Sequence, residues 1–279
     1  MAILRPLLEH ARQLRAPASL DWPPLNIGHR GASGSAPENT LVSFDLALRQ
    51  GADGIEFDVQ LSSDGVPVVI HDARLDRTTS GSGRVSEHCA SVLRRLDAGS
   101  WFNRRFPARA RERYAGARIP LLAEALAWVG ERCCRALVEI KDPTPGAEAK
   151  VLDEIAHAGV WPLVTILSFN LPTLRRLRQL DAQAPLGLDV SRRLLAIRHA
   201  RSLAATAVLP HYAIASRRFI RHAHRASLHV IPWTIDQPLW MRRRIEDGVD
   251  GIITNFPARL AEIRARLLEK VPNSPRPPL

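Results

Sequence analysis

Cysteine, lysine and long apolar runs are scarce in this 279-residue chain, and each scarcity excludes something. The cysteines are three: Cys89, Cys133 and Cys134. An odd count with one adjacent pair makes no disulfide framework, and no C-x-x-C metal pair is present. A reducing compartment follows, and the cytoplasm is the expected location. No run of about eighteen apolar residues exists, so no transmembrane helix is expected. In Met1 to Pro17 the residues Arg5, Glu9, Arg12 and Arg15 interrupt the apolar positions, which denies that stretch the core of a secretory signal. The only lysines are Lys141, Lys150 and Lys270, so the net charge of +11 is almost wholly arginine.

A basic balance suits nucleic acid, an anionic membrane or an acidic substrate. The arginines read as dispersed over many segments. Their densest runs (Arg104-Arg105, Arg192-Arg193 and Arg242 to Arg244) are short and lack the interleaved aromatics of a single-strand binder. They are assigned to solvated helix faces, and no nucleic-acid partner is expected. Met1 to Arg15 is expected to form a short amphipathic helix through Ile3, Leu4, Leu7, Leu8 and Leu14. Packing against the domain is its first reading and weak peripheral membrane contact its second. Nothing in the pattern specifies an oligomeric state.

From Leu25 onward strand and helix signals alternate, which argues for βα units around a parallel sheet. The pattern predicts strands at Leu25–Gly28, Gly54–Leu61, Ala136–Lys141, Leu163–Ser168, Leu186–Val190, Ala207–Leu209, His229–Thr234 and Gly251–Thr254. A further short run, Val66–Ile70, follows Asp64-Gly65, a strong two-residue turn signal. A tight turn joins antiparallel strands, so this return cannot be a barrel strand. Eight parallel strands remain, the number of a TIM (β/α)8 barrel, and the length fits one such domain of ~250 residues. The expected organisation is an N-terminal extension over residues 1–24, a barrel over 25–270 and a frayed, proline-rich tail over 271–279. An insertion of about residues 73–119 reads as too polar and too short to bury a core of its own. Helices are expected between the strands, among them Ser191–Leu203.

The second strand carries the least expected residues. Asp and Glu are depleted in strand interiors, yet Glu56 and Asp58 lie inside one, on the same face by the two-residue period. Two buried carboxylates side by side call for a cation between them. With a two-residue turn at Asp64-Gly65, Asp58 pairs directly with His71, Cβ atoms about 5 Å apart. His29 and Arg30 end the first strand, and Glu139 and Lys141 end the third; in a TIM barrel those ends are where catalytic groups stand. Three carboxylates suit a hard divalent cation, and either Ca2+ or Mg2+ meets that chemistry. Arg30 and Lys141 suit a phosphate. Of the two imidazoles, either can take a proton while the other gives one. Together these describe cleavage of a phosphodiester. Trp233 supplies an apolar wall or a packing contact, His211 reads as structural, and Asp189 and Asn255 read as cap residues.

The motifs His29-Arg30-Gly31, Pro37-Glu38-Asn39-Thr40, Gly54-Ile-Glu56-Phe-Asp58-Val59, Asp64-Gly65, His71-Asp72, Glu139-Ile-Lys141, Trp233-Thr234 and Gly248-Val-Asp-Gly-Ile-Ile-Thr-Asn255 occur in this order. The combination, from about Leu25 to Leu260, resembles the glycerophosphodiester phosphodiesterase family. The resemblance implies a TIM barrel related to the phosphatidylinositol phospholipase C barrels. It implies Glu56, Asp58 and Glu139 as metal ligands, His29 and His71 as acid and base, and Arg30 and Lys141 around the phosphate. The expected reaction is hydrolysis of a small glycerophosphodiester to sn-glycerol 3-phosphate and an alcohol. A lysophospholipase D with the same residues is the nearest rival, with Trp101, Phe102 and Phe106 as its apolar groove. A basic nucleic-acid binder with an idle barrel is the remote one. The segment Ser191 to His222 matches the family least.

Overall fold

The computed structural model describes residues 23–141, 144 and 146–269. The predicted N-terminal helix and the tail beyond residue 270 lie outside the described residues. Strands β1 (Leu25–His29), β2 (Gly54–Leu61), β4 (Arg135–Ile140), β5 (Val164–Ser168), β6 (Leu186–Val190), β7 (Ala207–Pro210), β8 (His229–Val230) and β9 (Gly251–Thr254) run parallel around a barrel. The order is β8-β7-β6-β5-β4-β2-β1-β9. The Asp250 N–H donates to the Val230 carbonyl (3.0 Å) and the Ile253 N–H to the Pro232 carbonyl (3.0 Å), which draws β9 against β8 and nearly closes the ring. The fold is a TIM barrel.

Helices α1 (Leu41–Arg49), α4 (Leu122–Arg132), α5 (Ala147–Ala158), α6 (Leu171–Leu180), α7 (Ala196–Ser202), α8 (Arg217–Arg225), α9 (Pro238–Glu246) and α10 (Pro257–Leu268) pack outside; α2 (Ala90–Leu93) and α3 (Ser100–Arg105) belong to the insertion. Alternation sorts each strand. On β4, Ala136, Val138 and Ile140 face the helices, while Leu137 joins Ile27, Leu167, Leu209, Ile231 and Ile253 in an apolar plug inside the barrel. Phe44 of α1 is fully buried against Phe57 of β2 (5.5 Å between centroids) and Trp128 of α4 (5.6 Å). Thr40 caps α1 by accepting from the Ser43 N–H.

Four expectations need correction. The hairpin loop has three residues, because Ser62 pairs with Val66 through its N–H (3.0 Å) and Gly65 takes a left-handed φ of 73°. The return strand β3 (Pro67–Val69) therefore shifts by one: Val59 faces Val69, and the Ile70 N–H donates to the Asp58 carbonyl. Ile70, not His71, stands opposite Asp58. The insertion, secondly, has a core. Leu75, Val85, Leu93, Ala98 and Ile119 bury themselves against Val68 and Ile70 of the return strand, and Phe102 and Tyr114 pack on Ala36. It borrows an apolar wall that its own sequence does not show. The helix expected from Ser191, thirdly, begins at Ala196, since Leu194 and Leu195 are exposed and Leu195 is left-handed at φ 62°. Lastly, β8 ends at Val230 rather than Thr234; Pro232 has no N–H for the ladder.

Candidate active site

Two residues beyond the plug, each strand turns a new side chain toward the C-terminal mouth. His29 follows Ile27, Glu139 follows Leu137, Phe169 follows Leu167, His211 follows Leu209, Trp233 follows Ile231 and Asn255 follows Ile253. On β2 the same face carries Glu56 and Asp58, in register with His29 on one side and Glu139 on the other. Glu56, Asp58 and Glu139 are buried, and each offers an oxygen within 4.8 Å of the others. The first turn after β1 needs left-handed backbone at Arg30 (φ 53°) and Gly31 (φ 82°). A Cβ on Gly31 would lie 2.6 Å from the Ser43 carbonyl carbon, so only glycine fits.

The two cations of the site stand among the carboxylates. Arg30 Nε lies 3.1 Å from Asp58 Oδ2, and Arg30 Nη1 lies 2.7 Å from Glu38 Oε1. Lys141 Nζ lies 3.2 Å from Asp58 Oδ1 and 2.6 Å from Glu139 Oε2. The 3.1 Å and 3.2 Å contacts are ion pairs without hydrogen-bond alignment, for Arg30 Nε and Asp58 Oδ1 have no hydrogen-bond partner. Burial raises the Asp58 carboxyl, but Arg30 and Lys141 outweigh it and hold it down to about 2. Glu56 goes the other way, raised well above its usual value by burial and then by Asp58 and Glu139. Burial and Asp58 raise Glu139 to about 7 against the pull of Lys141. Two cations thus do not neutralise three buried carboxylates, and the oxygen-only donor set fits a hard divalent cation.

Hydrogen bonds fix both imidazole tautomers. Asn255 donates through Nδ2 to Asp236 Oδ2 (2.7 Å), and a carboxylate can only accept. Asn255 Oδ1 is therefore the atom 2.7 Å from His29 Nδ1, which makes Nδ1 the protonated nitrogen. His29 Nε2, 3.9 Å from Glu56 Oε2, is left bare. Burial, then the Arg30 charge, lowers His29 to about 4. His71 Nδ1 donates to Asp72 Oδ1 (2.6 Å), so its Nε2 is also the outward nitrogen. Burial lowers His71 as well, but the Asp58 charge and the Asp72 bond oppose that. Arg77 of the insertion grips Asp72 (2.6 Å) and Glu38 (2.7 Å), tying His71 to the Arg30 pair.

All eight residues singled out from the sequence surround this mouth. Trp233 is anchored, its Nε1 donating to the Leu209 carbonyl (2.8 Å), and its ring meets Phe169 (5.3 Å) and His211 (5.2 Å) edge to face. Sequence reasoning passed over the supporting layer. Asn255 reads as a cap from the sequence but holds His29; Asn39, within the Pro37-Glu38-Asn39-Thr40 motif, donates to Asp58 Oδ2 (2.8 Å). Asp189, also read as a cap, is a fourth buried carboxylate, raised by burial and by Glu139 and Glu56. Counting by two, from Ile253 of the plug and from Gly187 beside Leu167 and Leu209, places Asn255 and Asp189 in the mouth. The apolar groove assigned to Trp101, Phe102 and Phe106 does not form, because Phe102 is buried at the centre of that group and Tyr114.

A sequence profile of the glycerophosphoryl diester phosphodiesterase family matches residues 29–259. The chain is 37% identical over 243 residues to a glycerophosphodiester phosphodiesterase of Caldanaerobacter subterraneus subsp. tengcongensis, covering 86% of this chain and 97% of the relative. It is 33% identical to one from Bacillus subtilis, with 84% of each chain covered. Among solved structures, a putative glycerophosphoryl diester phosphodiesterase from Silicibacter pomeroyi superposes with a TM-score of 0.80 at 28% identity, over 92% of this chain and 97% of that one. An Oleispira antarctica phosphodiesterase in complex with the product sn-glycerol-3-phosphate superposes with a TM-score of 0.75 at 28% identity, over 86% and 96%.

Proposed function

The chain belongs to the glycerophosphoryl diester phosphodiesterase family, and from that premise we propose that it hydrolyses small glycerophosphodiesters to sn-glycerol 3-phosphate and an alcohol, using one divalent cation and two histidines. The observation that carries the reading is the buried Glu56–Asp58–Glu139 cluster between two imidazoles of fixed tautomer. The Oleispira phosphodiesterase, with its bound sn-glycerol-3-phosphate, supports the product. Glu56, Asp58 and Glu139 would hold Ca2+ or Mg2+, which when bound offsets charge on the phosphate oxygens and acidifies an attacking hydroxyl.

The chain's own residues do the rest. Arg30 and Lys141, both beside Asp58, bracket the place of the phosphate. His29 is the base: its partner is a neutral amide and its Nε2 is bare. His71 is the acid, because the Asp72 carboxylate favours the protonated ring, and it gives its own Nε2 proton to the leaving alkoxide while His29 keeps the proton taken from the nucleophile. Trp233 walls the mouth against water on the far side. The neighbouring glycerol hydroxyl serves as nucleophile through a cyclic phosphate, or water attacks directly; hydrolysis in isotopic water with a trap for the cyclic ester separates the routes. Three unpaired cysteines fit a reducing compartment such as the cytoplasm. The test is a panel of glycerophosphodiesters and lysophospholipids assayed with calcium, magnesium and a chelator, on wild type, Glu56→Ala and His29→Ala. Wild-type turnover in both variants would sink the assignment.

A further inference from the structure

The positive charge is segregated, although residue by residue it reads as dispersed. Residues 190–235 contain eight arginines and no Asp, Glu or Lys. All eight are exposed. They lie on the loop after β6, on α7 and on α8, so one flank of the barrel is wholly basic. Arg192 and Arg193 stand at the mouth end, as do Arg217 and Arg218 in the first turn of α8.

The exposed apolar residues collect at the same end. Of six large ones among the described residues, Phe169, Leu194, Leu195 and Leu239 sit on the segments leaving the C-terminal ends of β5, β6 and β8. Leu194 is 82% exposed and Leu239 73%. Leu195 is a bulky residue in the left-handed region, a conformation that costs energy and here brings no burial. Between α7 and α8 a groove has Ile197 and Phe219 in its floor and Arg193, Arg198, Arg218 and His222 at its edge.

We propose that this rim and basic flank dock the barrel, mouth toward the surface, on an anionic lipid membrane. Aliphatic tips flanked by arginines match the boundary between acyl chains and acidic headgroups. A single-stranded nucleic acid would ask instead for aromatic faces to stack its bases, and a duplex would pair with the arginines but make no use of exposed leucine tips. Among the described residues no helix is long and apolar enough to cross a membrane, so the contact is peripheral. Docking does not depend on the proposed chemistry, and it would bring lipid-borne diesters to the mouth.

The experiment is co-sedimentation of the full chain with vesicles of phosphatidylcholine, with and without phosphatidylglycerol, at two salt concentrations. Binding is expected only to the acidic vesicles and to weaken with salt. Leu194→Asp with Leu239→Asp, and separately Arg192→Glu with Arg217→Glu and Arg218→Glu, should each cut partitioning at least about tenfold. None of these residues touches the catalytic groups, so turnover of a soluble diester should stay at the wild-type level and reports correct folding. Undiminished vesicle binding in both folded variants overturns the proposal. So does the absence of wild-type binding, or a duplex DNA or protein partner that binds the basic flank while acidic vesicles do not.

Discussion

Replacing Asn255 by alanine tests the tautomer argument, because this residue touches neither the carboxylate cluster nor the Arg30 and Lys141 cations. In the wild type its Oδ1 takes the His29 Nδ1 proton at 2.7 Å, and Ser33 Oγ donates to the same oxygen at 2.6 Å. For the His29 ring, removing the acceptor forfeits one neutral hydrogen bond, worth about 1 kcal/mol net; Ser33 and Asp236 lose their bonds to Asn255 as well. It also frees the ring to carry its proton on Nε2, where a base cannot use it. The two effects together should lower kcat about 10- to 100-fold, with KM changed less than about threefold. Asp236→Asn supplies the second arm. Asp236 does not touch His29, yet its carboxylate is what forces the Asn255 amide to present oxygen to the ring. An amide at 236 lets Asn255 turn over, so this variant should lose kcat in the same direction. Initial rates on glycerophosphocholine, read as released glycerol 3-phosphate, give the split; calorimetric titration with calcium and magnesium should show an unchanged affinity. If Asn255→Ala keeps kcat within about threefold of wild type, the tautomer assignment is refuted.

Cation binding should release protons, because Glu56 and Glu139 are held well above the usual carboxylate range by burial and mutual repulsion. Affinity should then fall as pH falls through about 7, the value to which Glu139 is raised; an affinity flat with pH across that range would contradict the three-carboxylate site. Calcium or magnesium should likewise raise the melting temperature, and Glu139→Gln should lose most of that rise in a thermal-shift assay. Away from the site, Asp250 accepts from His224 (2.8 Å) and the Val230 N–H (2.6 Å) where β8 meets β9. Burial raises the Asp250 carboxyl, but these bonds outweigh it and hold it low, so its stabilising share is present above about 3.9 and lost as pH falls toward the lower folded value. His224 is raised by the same bond, so its share is full below about 6.5 and lost as pH rises through the folded value. Asp250→Asn should flatten both sides of that window in a plot of urea midpoint against pH, and a curve shaped like wild type would count against it. Phe102→Ala should cost about 3–5 kcal/mol within the insertion. Proteolysis should then nick residues 73–119 first; equal resistance would mean that the insertion does not depend on that core.

What the sequence makes legible follows from how strongly a residue violates its local environment. Glu56 and Asp58 are carboxylates in a strand interior, and no packing argument explains them, so they stand out at once. His29, Glu139 and Lys141 stand at strand ends, where a barrel collects its chemistry, and the structure brings them around the same mouth; His71 reaches that mouth too, though not through the pairing with Asp58 that the turn predicts. Asn255 and Asn39 violate nothing: one follows a strand and the other precedes a helix, both ordinary places for asparagine. Their role appears only when the partners are known, as with Asp236, whose carboxylate orients an amide that orients a ring.

The hairpin and the insertion fail for a related reason. Asp64-Gly65 carries the same residues in a two-residue turn as in a three-residue loop with left-handed Gly65, and the two differ by one register step. That step moves His71 off the ladder, so it reaches the site from beyond the strand end instead of across a pair. Gln60 holds it there, with Nε2 donating 2.7 Å to the His71 carbonyl. The insertion looks too polar because Leu75, Val85, Leu93, Ala98 and Ile119 follow no period, and a window average dilutes them. What rescues them is the outer face of the return strand, where Val68 and Ile70 are buried beneath them. The same strand that delivers His71 therefore also roots the insertion that supplies Arg77 to Asp72. A change that loosens this core, such as Val85→Ala or Leu93→Ala, should for this reason be felt at His71, as a lower kcat with cation affinity intact.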